Sequence, residues 1–144
     1  MSRLVIDAAV GLKWVIAEAA SEQASALSGH DLLAPDSIIL DWAEALRAKE
    51  LRGEITPEER SDRLGVLARA PLSLTPAAAL IEPASDLASR LGLSVRCALY
   101  ATLADRARCP LITADPTLVA RLEAGDWGGT ALLLGQPLAT RATG

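Results

Sequence analysis

The sequence predicts an α/β fold in which a central, mostly parallel sheet is flanked by helices. Short apolar runs alternate with longer segments of helical periodicity, and this alternation is typical of parallel sheets. Hydrophobic residues make up 51% of the 144-residue chain, enough to build one buried core. Because no linker, repeat or low-complexity segment interrupts the pattern, we predict one domain over residues 1–135 and a loose tail over residues 136–144.

The chain begins with a strand, two helices and a second strand. The apolar run RLVI, residues 3–6, predicts a strand that is directly followed by Asp7. The periodicity of residues 9–19 predicts a helix, and residues 21–29 predict a shorter helix that ends at a glycine. Residues 31–35, DLLAP, predict a brief second strand.

Two helices with clear start and stop signals come next. Residues 36–53 predict a long helix with Asp36 as its N-cap and Gly53 at its end. Residues 56–70 open with TPEE, which predicts a capping box with a proline at the first helical position. These signals predict two successive helices.

The following segment predicts a short strand and two further helices. Residues 71–74 predict the strand, and residues 75–92 predict a helix that is interrupted near Pro83, because an interior proline removes a backbone donor. Residues 94–108 predict a helix that begins after a capping serine.

The last part of the chain predicts a strand, a helix and a final strand. Residues 109–116, CPLITADP, predict a strand that ends at Asp115, with Pro116 starting the next helix. Residues 130–135 predict the final strand. Sites in parallel α/β sheets form outside the carboxyl ends of the strands. Asp7 and Asp115 therefore occupy positions typical of a site, although capping of a helix explains either aspartate equally well.

Composition and termini exclude several classes of protein. A net charge of −4 does not favour a surface wholly devoted to nucleic acid. Cys97 and Cys109 have the spacing of neither a disulfide framework nor a zinc site, which favours a reducing, cytoplasmic location. Asp7 and Lys13 break the apolar amino-terminal stretch, so it predicts neither a signal peptide nor a membrane span.

Two more carboxylates lie on the long helix. Asp41 and Glu44 are three residues apart and share one helix face within an apolar stretch. A carboxylate buried there needs a partner or a metal ion. The alternatives are a solvated face or neutralisation by Arg47 or Lys49. If the acids converge with those at the strand ends, hard oxygen ligands favour Mg²⁺ or Mn²⁺ and phosphodiester chemistry.

Two stretches of the chain resemble the PIN-domain family, and within it the small VapC-like toxins of toxin–antitoxin pairs. VIDAAVGLKW is similar to the opening strand and turn of that family, and RLGLSVRCALYATLADRARCPLITAD is similar to its carboxyl-terminal signature. The resemblance implies a single PIN-like domain and a ribonuclease dependent on Mg²⁺ or Mn²⁺, with Asp7 and Asp115 matching two of its acids. It also implies an RNA substrate, an antitoxin partner and a homodimer.

Two features of the chain depart from the family pattern. The family usually has a glutamate and, three residues later, an asparagine where this chain has Asp41 and Glu44, and an aspartate where it has Cys97. We hypothesise that Glu44 partly compensates for the acid missing at Cys97. The catalytic and metal-binding set is then Asp7, Asp41, Glu44 and Asp115. The alternative is a catalytically impaired PIN domain that binds RNA or a protein.

Other residues are candidates for supporting roles. Thr113 lies on the same strand face as Asp115, so its hydroxyl is predicted to line the site unless it is an ordinary strand threonine. Arg96 and Arg47 are candidates for binding RNA phosphates, with surface charge as the alternative. A nucleophilic role for Cys97 requires a base, and the only histidine, His30, shows no pairing in sequence.

Other families with acidic pockets fit less well. A receiver domain has paired acids after its first strand and a late lysine. A phosphatase of the haloacid dehalogenase type has an aspartate two residues after the first. This chain has Ala8 and Ala9 directly after Asp7, which argues against the second class.

Overall fold

Five short parallel strands form the central sheet. The computed structural model describes residues 2–136, and the strands within them are β1 (Arg3–Ile6), β2 (Asp31–Pro35), β3 (Ser73–Thr75), β4 (Leu111–Thr113) and β5 (Ala131–Leu133). They lie in the order β3–β2–β1–β4–β5, and each neighbouring pair is parallel. The predicted α/β fold with a central parallel sheet is therefore confirmed.

Seven α-helices flank this sheet within the described residues. They are α1 (Ala8–Leu12), α2 (Ser21–Ser25), α3 (Ile38–Leu51), α4 (Pro57–Ala68), α5 (Ile81–Leu91), α6 (Val95–Ala107) and α7 (Pro116–Ala124). Short 3₁₀ helices follow α2 at Ala26–Gly29 and precede α5 at Ala77–Ala79. Within residues 2–136, no helix is both long and apolar enough to cross a membrane.

The order of the strands places a switch point between β1 and β4. The chain proceeds outward from β1 through β2 to β3, then returns to the other side of β1 with β4 and β5. Val5 lies opposite Leu33 of β2 on one side and Leu111 of β4 on the other. The carboxyl ends of β1 and β4 are therefore neighbours, and this is where parallel α/β sheets form their sites.

Trp42 packs α3 against α1. Its indole is fully buried, and its Nε1 donates a 2.9 Å hydrogen bond to the carbonyl of Ala8. A Cβ atom on Gly11 would lie 2.5 Å from Cζ2 of this ring, so only glycine admits the tryptophan at this distance. The contact holds Asp41, the residue before Trp42, close to the start of α1.

Helix α6 supplies much of the core. Residues 98–104 are all buried, and the helix packs against α5, β1, β2 and β4. Its N-cap is Ser94, whose hydroxyl accepts a 3.1 Å hydrogen bond from the N–H of Cys97. The predicted helix over residues 94–108 is thus confirmed to within a residue at each end.

The helix predicted over residues 9–19 is wrong in length. In the structure α1 ends at Leu12, because the N–H groups of residues 13–15 bond to carbonyl groups three residues back and tighten the chain into turns. The indole Nε1 of Trp14 then donates a 2.9 Å hydrogen bond to the carbonyl of Ala24 in α2. The chain makes this tertiary contact where the predicted helix would have continued beyond Leu12.

The predicted N-cap of α3 is also wrong. Asp36 Oδ1 accepts a 2.9 Å hydrogen bond from the N–H of Ala77, in the segment after β3. The residue at the N-cap position is Ser37, and its side chain makes no capping hydrogen bond. The local sequence pattern predicted that Asp36 caps α3, but its side chain makes a long-range hydrogen bond instead.

The interruption predicted near Pro83 lies earlier in the chain. The break falls between the 3₁₀ turn at residues 77–79 and the start of α5 at Ile81. Pro83 is the third residue of α5, where the N–H of any residue lacks an intrahelical partner, so the proline removes no hydrogen bond from the helix.

The other helix-start signals are confirmed. Thr56 and Glu59 form the predicted capping box, with Pro57 at the first helical position of α4. The predicted division into a domain over residues 1–135 and a tail over residues 136–144 stays a prediction, because residues 137–144 lie outside the described part of the chain.

Candidate functional site

A pocket of about 250 Å³ lies at the switch point, beside the carboxyl ends of β1 and β4. Two alanines and one leucine line it. The other six lining residues have polar or ionisable side chains, and they are Asp7, Asp41, Arg96, Cys97, Tyr100 and Asp115. A larger pocket of about 530 Å³ lies beside Pro110, at the amino end of β4. None of the predicted site residues lines that larger pocket, so the smaller pocket is the candidate functional site.

Asp7 directly follows β1 and lies at the base of the pocket. It is 9% exposed and caps α1, with its Oδ1 accepting a 2.9 Å hydrogen bond from the N–H of Val10. Its Oδ2 accepts a hydrogen bond from the hydroxyl of Thr113, which is fully buried at the end of β4. The structure thus brings Thr113 into direct contact with Asp7, and Asp7 combines a capping role with a place in the pocket.

Burial raises the pKa of the Asp7 carboxyl above its ordinary value. Hydrogen bonds from Thr113, from the N–H of Val10 and from the backbone of Ala114 oppose this shift, whereas the negative charge of Asp115 adds to it. Within the described residues, no cationic side chain forms an ion pair with Asp7. The carboxylate of Asp7 is therefore desolvated and lacks a counter-charge.

Asp115 lies across the switch point from Asp7. The strand predicted to end at Asp115 ends at Thr113, because Asp115 caps α7 and its Oδ1 accepts a 2.9 Å hydrogen bond from the N–H of Thr117. The N–H of Asp115 donates a 3.1 Å hydrogen bond to the hydroxyl oxygen of Thr113. One threonine hydroxyl therefore links the two aspartates, and the exposed side chain of Asp115 forms the outer edge of the pocket.

Asp41 reaches the pocket from α3. Its carboxylate is 8% exposed, and its Oδ2 accepts a 2.6 Å hydrogen bond from the phenol of Tyr100. Arg96 Nε lies 2.9 Å from Oδ1 and forms an ion pair with it, but no donor among the described residues is aligned for a hydrogen bond to this oxygen. Burial, and then the hydrogen bond and charge of Asp41, raise the pKa of Tyr100, so the phenol keeps its proton and remains a donor.

Glu44 does not line the pocket. It lies three residues after Asp41 on α3, and its side chain is exposed to solvent. The structure therefore brings Asp7, Asp41 and Asp115 together without the fourth predicted acid. The hypothesis that Glu44 compensates for Cys97 stays a prediction and receives no support from this placement.

Cys97 lies in the first turn of α6, half-buried in the pocket wall. Both cysteines of the chain are free. His30 lines two other pockets, near α2, and does not line this one. No imidazole is therefore positioned here as the base that a thiol nucleophile needs.

The two arginine candidates have different surroundings. Arg96 lies in the pocket, with a side chain that is 57% exposed, and it is within reach both of Asp41 and of solvent. Arg47 lies on the exposed surface of α3 and does not line the pocket. Of the two, only Arg96 is placed to meet a ligand bound among the aspartates.

Tyr100 is a site residue that sequence analysis missed. It is the only tyrosine in the chain and interrupts an apolar run of α6. Tyr100 and Arg96 are four residues apart, so they lie on one face of the helix. That spacing was a visible signal, but it identified no partner, because Asp41 is distant in sequence.

The donors in the pocket fit a magnesium or manganese ion. Within residues 2–136, no three His, Cys, Asp or Glu side chains are grouped closely enough to hold a metal ion by themselves. Mg²⁺, however, is commonly held by one or two carboxylates together with water and substrate phosphate. Asp7 and Asp115 offer two hard oxygen donors, and the uncompensated burial of Asp7 is what a bound cation would relieve. Cys97 adds a soft donor that suits neither metal.

The fold and the pocket together define an α/β domain with an acidic pocket at the switch point of a parallel sheet. Models of known protein families give no match to the sequence. No curated protein sequence matches it either. The similarity is to solved structures, and it shows the fold alone.

Solved structures that share this fold include the following two. The crystal structure of PAE2754 from Pyrobaculum aerophilum has a TM-score of 0.69 and 19% sequence identity, covering 99% of this chain and 97% of the other. The crystal structure of VapBC2 from Rickettsia felis, bound to a DNA fragment from their promoter, has a TM-score of 0.64 and 8% identity, covering 91% of this chain and 98% of the other. The similarity therefore spans the whole domain.

Proposed function

We propose that this protein is a divalent-metal-dependent endoribonuclease of the PIN toxin type, which hydrolyses RNA phosphodiester bonds. One observation carries the proposal: Asp7 and Asp115 at neighbouring strand ends share a pocket with Asp41 from α3. Carboxylates that converge in this way repel each other unless a cation joins them. The fold shared with the VapBC2 structure supports the same class of protein.

Asp7 and Asp115 are the residues that would hold Mg²⁺ or Mn²⁺, with Asp41 in the same pocket. Such an ion, when bound, supplies an activated water and stabilises the charge that develops on the leaving oxygen. The chain's own residues prepare the site. Thr113 fixes the orientation of Asp7, and Tyr100 fixes that of Asp41.

Arg96 is the candidate for contacting the RNA backbone. Its guanidinium lies at the pocket and is more than half exposed, so it is accessible to a phosphate group. Arg47 lies farther along the exposed surface of α3 and remains a second candidate for a more distant phosphate.

We also propose a protein partner. VapBC2 is a complex crystallised with promoter DNA, and its shared fold supports an antitoxin as partner of the present chain. A homodimer and a cytoplasmic location belong to the same proposal. Co-purification of the chain with the product of a neighbouring gene tests the partner, and light scattering tests the dimer.

A catalytically impaired, RNA- or protein-binding domain is the second candidate function. Two observations favour it. Cys97 replaces an acid that the family resemblance leads us to expect, and Arg96 already pairs with Asp41. In this alternative the pocket retains its fold and its affinity for RNA but does not cleave.

A cleavage assay on a panel of structured RNAs, with Mg²⁺ or Mn²⁺, separates the two candidates. We expect the native chain to cleave and D7N to be silent, while E82Q, which removes an exposed carboxylate on α5, serves as the matched control. A silent native chain that gains cleavage on C97D establishes the impaired domain instead.

E44Q tests the compensation hypothesis, because loss of cleavage supports a role for Glu44 and retention agrees with its exposed position.

A further inference from the structure

Arg96 and Tyr100 approach the same carboxylate from one helix. They are one turn apart on α6, and they contact the two oxygens of Asp41 separately, with Arg96 Nε 2.9 Å from Oδ1 and the Tyr100 hydroxyl 2.6 Å from Oδ2. Asp41 is nearly inaccessible to solvent, so its charge depends on these neighbours. The protein itself thus supplies the cation that Asp41 requires.

The other two carboxylates of the pocket have only neutral partners. Asp7 accepts hydrogen bonds from the Thr113 hydroxyl and from the backbone of Val10 and Ala114, and Asp115 accepts one from a backbone N–H. Within residues 2–136, neither aspartate has an ion pair. Asp7 and Asp115 are therefore the carboxylates of this pocket that an external cation would neutralise.

The charges in the pocket are compatible with a single divalent ion. Its three carboxylates and one guanidinium leave two negative charges when all are ionised, and one divalent cation neutralises them. A second divalent ion beside Asp41 would have to displace Arg96, and the neighbouring Cys97 offers it a thiol instead of a carboxylate.

We infer that Arg96 is a resident cation that takes the place of a second metal ion, so that this pocket holds one divalent ion, on Asp7 and Asp115. The inference rests on the proposed function and deepens it, because it specifies how many ions the site takes. Arg96 acts here through Asp41 and through the field it exerts on the bound ion. It lowers the affinity for the metal while it leaves a positive group exposed toward substrate phosphate.

Binding of Mn²⁺, measured by calorimetry and by electron paramagnetic resonance, tests the inference without any activity readout. We expect the native chain to bind one ion. R96Q should bind its first ion about tenfold more tightly, because a repelling positive charge is lost, and the double variant R96Q/C97D should bind two ions. R96K preserves the charge and should retain the native stoichiometry and affinity. R69Q, which removes an exposed arginine from the end of α4, is the matched control.

The possible failures are distinguishable. Two ions bound by the native chain, or unchanged affinity in a folded R96Q, overturn the role of Arg96 and leave the proposed metal-dependent function standing. Absence of Mn²⁺ binding by the native chain overturns the proposed function as well. Circular dichroism of each variant shows whether it is folded, and R96K reports on the charge even if R96Q does not fold.

Discussion

The hydroxyl of Thr113 donates a hydrogen bond to the carboxylate of Asp7 across the switch point of the sheet. Thr113 ends β4 and Asp7 follows β1, so this buried contact joins the ends of two paired strands that are distant in sequence. The same hydroxyl oxygen accepts the N–H of Asp115. The relative position of the two aspartates proposed to hold the metal therefore depends on Thr113.

Replacing Thr113 with valine should raise the pKa of Asp7 further and lower the stability of the protein. The hydrogen bond from Thr113 lowers that pKa in the native protein, and a buried acceptor that loses its donor costs about 1–3 kcal/mol. A carboxyl-detected NMR titration measures the first effect, and urea unfolding measures the second. T113S keeps the hydroxyl and should retain the native pKa. An unchanged Asp7 pKa in T113V would show that the contact is unimportant.

The buried carboxyl of Asp7 should make the metal-free protein less stable as the pH rises. Its folded pKa lies above the ordinary value of 3.8, so the folded state keeps the proton to a higher pH than the unfolded chain does. The stability contribution is fully present below that ordinary value and is lost as the pH rises through the raised pKa. D7N removes this dependence and should be more stable than the native chain at pH 7.

Thermal unfolding of both chains in chelator, from pH 4 to pH 8, measures this difference. The two curves should converge towards the acidic end, where Asp7 is protonated. Parallel curves over the whole range would mean that burial of Asp7 does not destabilise the folded state.

The phenol of Tyr100 should stabilise the protein through Asp41. Y100F leaves a buried carboxylate oxygen without its donor, so we expect a loss of about 1–3 kcal/mol in urea unfolding. In a D41N background the same substitution should cost less, because the charged acceptor is absent. Equal costs in the two backgrounds would mean that the Tyr100 hydroxyl and Asp41 are not coupled.

Gly11 should tolerate no side chain, because the ring of Trp42 fills the space beside it. G11A places a methyl group 2.5 Å from Cζ2 of that ring, and overpacking of this kind typically costs about 1–3 kcal/mol. G29A is the matched control, because a Cβ at Gly29 meets nothing within 4 Å. Thermal unfolding compares them, and equal stability of the two variants would contradict the packing described for α1 and α3.

Local signals in the sequence predicted most of the architecture. The capping box at Thr56, the proline at position 116 and the alternation of apolar runs with helices all depend on neighbouring residues, and the structure agrees with them. The predictions were wrong for the N-cap of α3 and for the length of α1, where a residue distant in sequence determines the local structure. Ala77 binds the side chain of Asp36, and Ala24 binds the indole of Trp14.

The candidate site was likewise predicted only in part from the sequence. Strand ends predicted Asp7 and Asp115, because parallel topology brings such ends together. The pairing of Arg96 and Tyr100 with Asp41 depends on how α3 and α6 pack, and the four-residue spacing of Arg96 and Tyr100 does not identify Asp41 as their partner. Glu44 shares a helix face with Asp41, but a rotation of about 60° between the two positions is enough to leave it in solvent.

The most direct test of the central claim is the chemistry of the RNA ends produced by the native chain and by D7N, prepared in parallel. Water activated at a metal-dependent site should give products with linear phosphate ends. We predict such products from the native chain with Mg²⁺ or Mn²⁺, none with chelator, and none from D7N. Cleavage that survives in D7N or in chelator, or that leaves 2′,3′-cyclic phosphates, would contradict a metal-dependent nuclease built on Asp7.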